Sequence, residues 1–139
     1  KKHLQKLAIN KKINNVIFID NIDWQEIVNI NQIISANLIH LKNLDLFKTV
    51  IPSKIFESMA LKKPILAGLI GENLEIILKS NSGLKVIPEN PKSLREKILY
   101  LKDNEAFCQR LGENGFEMVK KRYDRKILAT KMIERVDKT

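Results

Sequence analysis

The segment that decides the fold is residues 49–68, "TVIPSKIFESMALKKPILAG". Its first half predicts a helix from Pro52 to about Leu61, because proline is favoured in the first turn of a helix. The run "PILAGL" (64–69) is short and apolar throughout, which is typical of a strand buried on both faces. A helix followed directly by such a strand indicates part of a parallel β–α–β unit.

The same alternation of strands and helices continues on both sides of this segment. Further strand-like runs lie at residues 15–20, 37–42 and 84–88, and helical spacing of apolar residues occurs at 3–10, after Asp23 and after Gly71. Three more helices are predicted from Pro91 onward, with Asn90 as the N-cap of the first. The pattern predicts an α/β fold with a Rossmann-like, doubly wound parallel sheet flanked by helices.

The length and composition favour one globular domain. The 139 residues are expected to form a single domain, 1–139, with a helical C-terminal part from about residue 91, and Trp24 is expected in its core. The chain begins on a helix, so we expect the first strand of the sheet to lie upstream of Lys1. The polar N-terminus does not resemble a signal peptide, and a cytoplasmic location fits best.

The residue counts also limit the chemistry. A single cysteine, Cys108, excludes an internal disulfide and a cysteine-based zinc site, and we interpret it as an inert apolar residue. With His3 and His40 as the only histidines, we expect no metal, and His40 is interpreted as a histidine at the rim of the sheet. The net charge of +9 suits nucleic acid, an anionic membrane face or a phosphorylated ligand, but an AT-rich codon bias explains it equally well.

The strongest candidate site lies where strands pass into helices. Ligands of open α/β sheets bind at the carboxyl ends of the strands, where helix N-termini direct unpaired N–H groups outward. One candidate junction contains Ser53, Lys54 and Glu57, and the other is the turn Gly71–Glu72–Asn73. A hydroxyl and an ammonium at a helix start suit a diphosphate, and a carboxylate one turn later can accept hydrogen bonds from ribose hydroxyls.

A structural explanation of the same residues remains open from the sequence. Ser53 can simply cap its helix while Lys54 and Glu57 form a surface ion pair worth ~0.3–0.5 kcal/mol. Gly71 can be a tight turn that requires a positive φ angle.

The order of these segments resembles a known family. Residues 52–68, "PSKIFESMALKKPILAG", are similar to the motif "P-x-x-x-x-E-A-M-A-x-G-x-P-V-I-A". That motif is the core of retaining glycosyltransferases with the two-domain GT-B fold, family four in particular. The parts before and after it, "NVIFIDNIDWQEIVNINQIISANLIHL", "GENLEIILKSNSGLKVIPENPKSLREKILYLKDN" and "RLGENGFEMVKKRYDRKILATKMIERV", resemble the rest of that family's C-terminal, nucleotide-sugar-binding domain. The form "IPSKIFE" is similar to a bacterial subgroup that builds surface polysaccharides, commonly from UDP-linked N-acetylated amino sugars.

The resemblance implies roles for individual residues. Glu57 matches the second glutamate of the family's Glu-x7-Glu motif, which binds the donor ribose, while the first glutamate falls at Thr49. Ser53 and Lys54 lie beside the donor diphosphate on this reading. Gly71, Glu72 and Asn73 match the glycine-rich turn whose amides approach the donor. The element "E-G-F-G" is replaced by "TVIP", and no catalytic residue is assigned.

The resemblance further implies a chemistry for the intact enzyme. It would transfer a sugar from a UDP-linked donor to a saccharide or lipid-linked acceptor, without a cofactor or metal, and its charge would suit the inner face of a membrane. The N-terminal acceptor-binding domain is not in this chain, which alone should bind part of the donor without turnover. The alternatives are a UDP-sugar 2-epimerase-type domain, which needs an acidic, histidine-bearing cleft, and a non-catalytic Rossmann-like interaction module. Binding to nucleic acid rests on net charge alone, and we expect none.

Overall fold

The computed structural model describes residues 1–136 of the chain and divides it into two compact units. The first unit comprises residues 1–30, and the second begins at Asn31. In the described part, no helix combines the length and the apolar character that crossing a membrane requires.

The first unit contains the predicted N-terminal helix and most of the second. Helix α1 spans Lys2–Asn10, and α2 spans Trp24–Ile33, which reaches into the second unit. The N–H of Glu26 donates to the Asp23 carboxylate at 2.8 Å, and the N–H of Asp23 donates back to the Glu26 carboxylate at 3.3 Å. This reciprocal pair is a capping box in which Asp23 is the N-cap of α2.

Two expectations for the first unit are wrong. Residues 15–20 were predicted to form a strand, but they form none, and Val16, Ile17 and Ile19 are exposed. A strand needs a hydrogen-bonded neighbour, and the regular elements described in residues 1–30 are helices. Trp24 is 58% exposed rather than part of the core, because α2 buries none of its described side chains completely.

The second unit contains all the described strands and alternates them with helices. In chain order its elements are β1 (Asn37–His40), a 3₁₀ turn (Asp45–Lys48), α3 (Lys54–Ala60), β2 (Ile65–Gly68), α4 (Glu72–Lys79), β3 (Gly83–Lys85), α5 (Pro91–Lys102), α6 (Glu105–Arg122) and α7 (Arg125–Val136). Each helix and strand agrees with a predicted segment, although α3 starts two residues after Pro52 and the strands are shorter than the apolar runs that predicted them. The 3₁₀ turn lies in a stretch predicted as a loop.

The three strands form a parallel sheet in the order β1-β2-β3. His40 at the end of β1 pairs in register with Gly68 at the end of β2, and Ala67 of β2 pairs with Lys85 at the end of β3. The parallel sheet flanked by helices confirms the predicted fold class. Since the strands run in one direction, His40, Gly68 and Lys85 mark one side of the sheet, which we call the carboxyl edge.

The core lies on both faces of β2, whose four residues are all buried. On one face, Ile65 and Ala67 pack with apolar residues of α3 and α4, including Ile55, Met59 and Ile77. On the other face, Leu66 packs with residues of α5 and α6. This arrangement explains why "PILAGL" is apolar at successive positions instead of alternating.

Helix α6 approaches α3 and the turn after it through two glycines. A Cβ at Gly112 would overlap the backbone carbonyl of Lys62, and one at Gly115 would lie 3.1 Å from the Met59 side chain. Lys62 has a left-handed φ of 54° and places its ammonium 4.9 Å from the centre of the Phe116 ring. The long helix α6 is therefore fixed against the segment that leads into β2.

The start of α5 shows the predicted cap. The Asn90 side chain accepts a hydrogen bond from the Ser93 N–H at 3.0 Å, and Pro91 occupies the first turn. The Ser93 hydroxyl accepts in turn from the Ile87 N–H at 3.0 Å. These bonds fix the segment between β3 and α5.

Candidate functional site

The candidate site is built on the carboxyl edge, where α3 and α4 begin. Helix α3 follows β1 through the loop 41–53, and α4 follows β2 after a turn of only three residues. Both helices therefore direct the positive ends of their dipoles toward this side of the sheet.

At the start of α3, Ser53 occupies the N-cap position without capping through its side chain. Its φ and ψ of −55° and −30° are already helical, whereas a capping serine is normally extended. The first-turn bonds are made by the backbone, with Ile55 N–H donating to the Pro52 carbonyl and Glu57 N–H to the Ser53 carbonyl, both at 3.1 Å. The capping explanation for the Ser53 hydroxyl is therefore wrong.

The second part of that explanation, an ion pair between Lys54 and Glu57, also fails. Within residues 1–136 the ion pairs involve other residues, and neither of these two side chains takes part in one. Lys54 is exposed and Glu57 is half-buried. Both charged groups are thus left available at the start of α3.

The position of α3 is fixed by a short chain of buried polar contacts. The Ser58 hydroxyl donates to the Lys54 carbonyl at 2.7 Å and accepts from the Asn37 side-chain amide at 3.0 Å. Asn37 is the first residue of β1. The helix that carries Ser53, Lys54 and Glu57 is therefore bound directly to the strand before it.

At the start of α4, Gly71 is required for two separate reasons. Its φ is 68° and its ψ −146°, a conformation that residues with a side chain rarely adopt. An added Cβ would also lie 2.6 Å from the Lys48 carbonyl oxygen. The predicted positive φ is confirmed, and it brings the turn against the 3₁₀ segment.

The N–H groups of Glu72 and Asn73 are the unpaired amides of α4. In the described part of the chain neither has a backbone acceptor, because the first amides of a helix have no helical carbonyl one turn before them. Amides in this position carry the partial positive charge of the helix N-terminus. Of the two, the exposed Glu72, together with Gly71, can bind an oxyanion.

Asn73 is completely buried, and its side chain stabilises the turn by a hydrogen bond. Its side-chain N–H donates to the Phe47 carbonyl at 2.8 Å, while its side-chain oxygen has no hydrogen-bond partner among the described residues. The side chain thus binds the 3₁₀ segment to α4. Neither the side chain nor the backbone amide of Asn73 reaches the surface, so the exposed residues Gly71 and Glu72 are the part of the turn that a ligand can contact.

Lys48 and Thr49 lie beside this turn on the 3₁₀ segment. The Lys48 ammonium is 2.6 Å from the Asp45 carboxylate, and this hydrogen bond, with the charge attraction, lowers the pKa of Asp45. Thr49 ends the segment and is exposed. The structure therefore brings Gly71 and Asn73 together with Phe47 and Lys48.

The two groups of predicted residues are not joined to each other directly. Among the hydrogen bonds and ion pairs described, none connects Ser53, Lys54 or Glu57 with the turn Gly71–Asn73. They share the carboxyl edge and the loop between β1 and α3, which is the relation expected of two sides of one ligand site.

The sequence prediction missed a third component of this edge. The His40 ring accepts a hydrogen bond at Nε2 from the Glu89 N–H, at 2.9 Å, and the Glu89 carboxylate accepts from the Asn43 N–H at 3.3 Å. The segments after β1 and β3 are thereby connected. The only sign of this role in the sequence is that His40 is a polar residue at the end of an apolar strand. That sign supported no more than the interpretation of His40 as a histidine at the rim of the sheet.

An apolar groove lies elsewhere and contains none of the predicted residues. It measures about 580 Å³ and lies between β1, α5 and α6, with Leu38, Leu66, Leu101 and Cys108 among its lining. Burial raises the pKa of the Cys108 thiol, so it is a poor nucleophile at neutral pH, which supports its interpretation as inert. No group of three or more potential metal ligands occurs within the described residues.

Comparison with known proteins shows the family to which this chain belongs. The model of the family described as glycosyl transferases group 1 matches residues 1–118. A protein of Methanocaldococcus jannaschii described as an uncharacterized glycosyltransferase is 45% identical over 65 residues, which are 47% of this chain and 18% of that protein.

A solved structure supports the fold. The structure of sucrose-phosphate synthase from Thermosynechococcus elongatus matches 99% of this chain and 33% of its own length, with a TM-score of 0.77 and 18% identity. The fold is that of the C-terminal domain of a GT-B glycosyltransferase. This chain spans only a third or less of the length of both proteins.

Proposed function

Because this chain belongs to the family of glycosyl transferases group 1, we propose that it provides the donor-binding half of an enzyme that transfers a sugar from a UDP-linked donor with retention of configuration, as in family four. The observation that carries the proposal is the turn Gly71–Asn73. It offers unpaired amides at a helix N-terminus on the carboxyl edge of a parallel sheet. That combination suits the diphosphate of a nucleotide sugar.

The residues of α3 complete the proposed site. The Ser53 hydroxyl and the Lys54 ammonium would bind the diphosphate, and the Glu57 carboxylate would accept hydrogen bonds from the ribose hydroxyls. Ser53 does not cap its helix through its side chain, and Lys54 and Glu57 form no described ion pair, so all three side chains are available to a ligand. The amides and the ammonium would also stabilise the negative charge that develops on the leaving diphosphate, so the proposed reaction needs no metal or cofactor.

The remaining features of the whole enzyme follow from the same proposal. The acceptor would be a saccharide or a lipid-linked saccharide, bound by a separate N-terminal domain, in the synthesis of bacterial surface polysaccharides. The site of action would be the cytoplasm at the inner face of the membrane, where the net charge of +9 favours anionic lipid. This chain alone would bind the donor without transferring the sugar.

The direct test is an NMR titration of the chain with UDP and, separately, GDP, followed through backbone amide shifts. We expect UDP to shift Ser53, Lys54 and Gly71–Asn73. Glu57→Ala should weaken UDP binding by about tenfold or more, because hydrogen bonds to a charged group contribute ~1.5–3 kcal/mol. Glu113→Ala, an exposed glutamate on α6, is the matched control and should leave the affinity unchanged.

The alternatives give different results in the same titration. An interaction module without a ligand site would show no shifts with millimolar UDP, and that outcome contradicts the proposal. Shifts spread over the lysines of α6 and α7 instead of the carboxyl edge would indicate unspecific attraction of an anion by the net charge.

A further inference from the structure

The end of β1 carries a ring that rests on the end of β2. His40 and Gly68 are register partners, and a Cβ at Gly68 would overlap the His40 Cδ2 atom. The three atoms nearest to such a Cβ all belong to the His40 side chain. Gly68 is therefore a glycine because His40 occupies the space above it.

The same ring holds the segment that follows β3. Its Nε2 accepts from the Glu89 N–H at 2.9 Å, so the ring proton of the neutral imidazole is on Nδ1. Glu89 has a left-handed φ of 59°, which is unfavourable for a glutamate. Its carboxylate accepts from the Asn43 N–H on the opposite segment. Two hydrogen bonds thus keep Glu89 in a conformation that its own backbone does not favour.

We propose that His40 is a positioning residue of the nucleotide-sugar site, which holds the segment after β3 against the segment after β1 across the end of β2. This inference rests on the proposed function, because the carboxyl edge is where the donor would bind. His40 acts through Glu89 and contacts no reacting atom. By fixing two sides of the edge before the ligand arrives, it lowers the ordering cost of binding.

A role in ligand binding is distinguishable from a role in stability. The His40–Glu89 bond lies at the surface, and exposed hydrogen bonds contribute little to the free energy of unfolding. The loss of the bond should therefore appear in the affinity for UDP much more than in the urea midpoint of unfolding.

The first experiment compares three variants by UDP titration and by the Glu89 amide shift without ligand. His40→Ala should move the Glu89 amide signal and weaken UDP binding by ~tenfold, the equivalent of one hydrogen bond. His40→Gln, whose side-chain oxygen can still accept from Glu89, should recover most of the affinity. His3→Ala, the other histidine, is the control and should bind as the unmodified chain does.

The second experiment uses the overlap above Gly68. Gly68→Ala should displace the His40 ring and weaken UDP binding as much as His40→Ala does. In the His40→Ala background the added methyl group no longer meets a ring, so the double variant should be no worse than either single one. Losses of affinity that simply multiply would contradict the inference.

The outcomes separate this inference from the proposed function. An unmodified chain that does not respond to UDP contradicts the proposed function and this inference with it. A chain that binds UDP, with His40→Ala binding it equally well, contradicts this inference alone. A parallel loss of affinity in His40→Ala and His40→Gln would do the same, because the acceptor at residue 40 would then be irrelevant.

Discussion

At the scale of a single residue, Asn73 combines a donated hydrogen bond with a buried oxygen that has no partner among the described residues. An aspartate there would lose the bond to Phe47 and bury a charge. Asn73→Asp should lower the free energy of unfolding by about 3 kcal/mol or more at neutral pH. Burial raises the pKa of the new carboxyl above its unfolded value, so the loss should grow as the pH rises.

Urea unfolding at about pH 5 and about pH 8 measures this difference, since the two conditions bracket the expected titration. Asn81→Asp is the matched control, because Asn81 is exposed and its side chain makes no described hydrogen bond. Equal stability of Asn73→Asp at both pH values would show that the carboxyl stays in water.

The roles of Asn73 and His40 could not be predicted from the sequence, for a physical reason. The hydrogen-bond partner of Asn73 is 26 residues away in the sequence, and that of His40 is 49 residues away. These partners come into contact only when the sheet has formed. Gly71, by contrast, was predicted correctly as a turn with positive φ, because the requirement is local. Residue roles that depend on neighbours in the sequence could be predicted, and roles that depend on contacts made by the fold could not.

At the scale of elements, the starts of α3 and α5 differ in how they are capped. Asn90 accepts from the Ser93 N–H, whereas the Ser53 side chain makes no such bond. Asn90→Ala should therefore lower the free energy of unfolding by ~1 kcal/mol, while Ser53→Ala should change it by less than ~0.5 kcal/mol. Urea denaturation measures both. The order should reverse for UDP affinity, which Ser53→Ala should reduce more than Asn90→Ala, because only the Ser53 hydroxyl would contact the ligand.

A larger loss of stability in Ser53→Ala than in Asn90→Ala would restore the capping explanation for Ser53.

The predictions of helices and strands also differ according to whether the signal is local in the sequence. Helices with local signals, such as α5 with its N-cap at Asn90, were predicted correctly. Residues 15–20 have the composition of a strand, but composition cannot supply the neighbouring strand with which to pair.

At the scale of the whole second unit, stability depends on the close contact of α6 with α3 and the turn after it. Gly112→Ala should lower the free energy of unfolding by about 1–3 kcal/mol, because the added methyl group meets the rigid Lys62 carbonyl. Gly115→Ala should cost less, since its methyl group would lie 3.1 Å from side-chain atoms of Met59 and Ser82 instead of overlapping a backbone carbonyl. Thermal and urea unfolding of both variants measure the order, and an equal effect would mean that α6 shifts as a body.

The ring of His40 above Gly68 also constrains how sequences of this kind can diverge. A residue larger than glycine at position 68 is compatible only with a smaller side chain at position 40, and the acceptor for the Glu89 amide is then lost as well. The two positions should accordingly change together across related chains, although 28 residues separate them. A lineage that replaces the histidine would become free to fill position 68, and return would require both substitutions to be reversed.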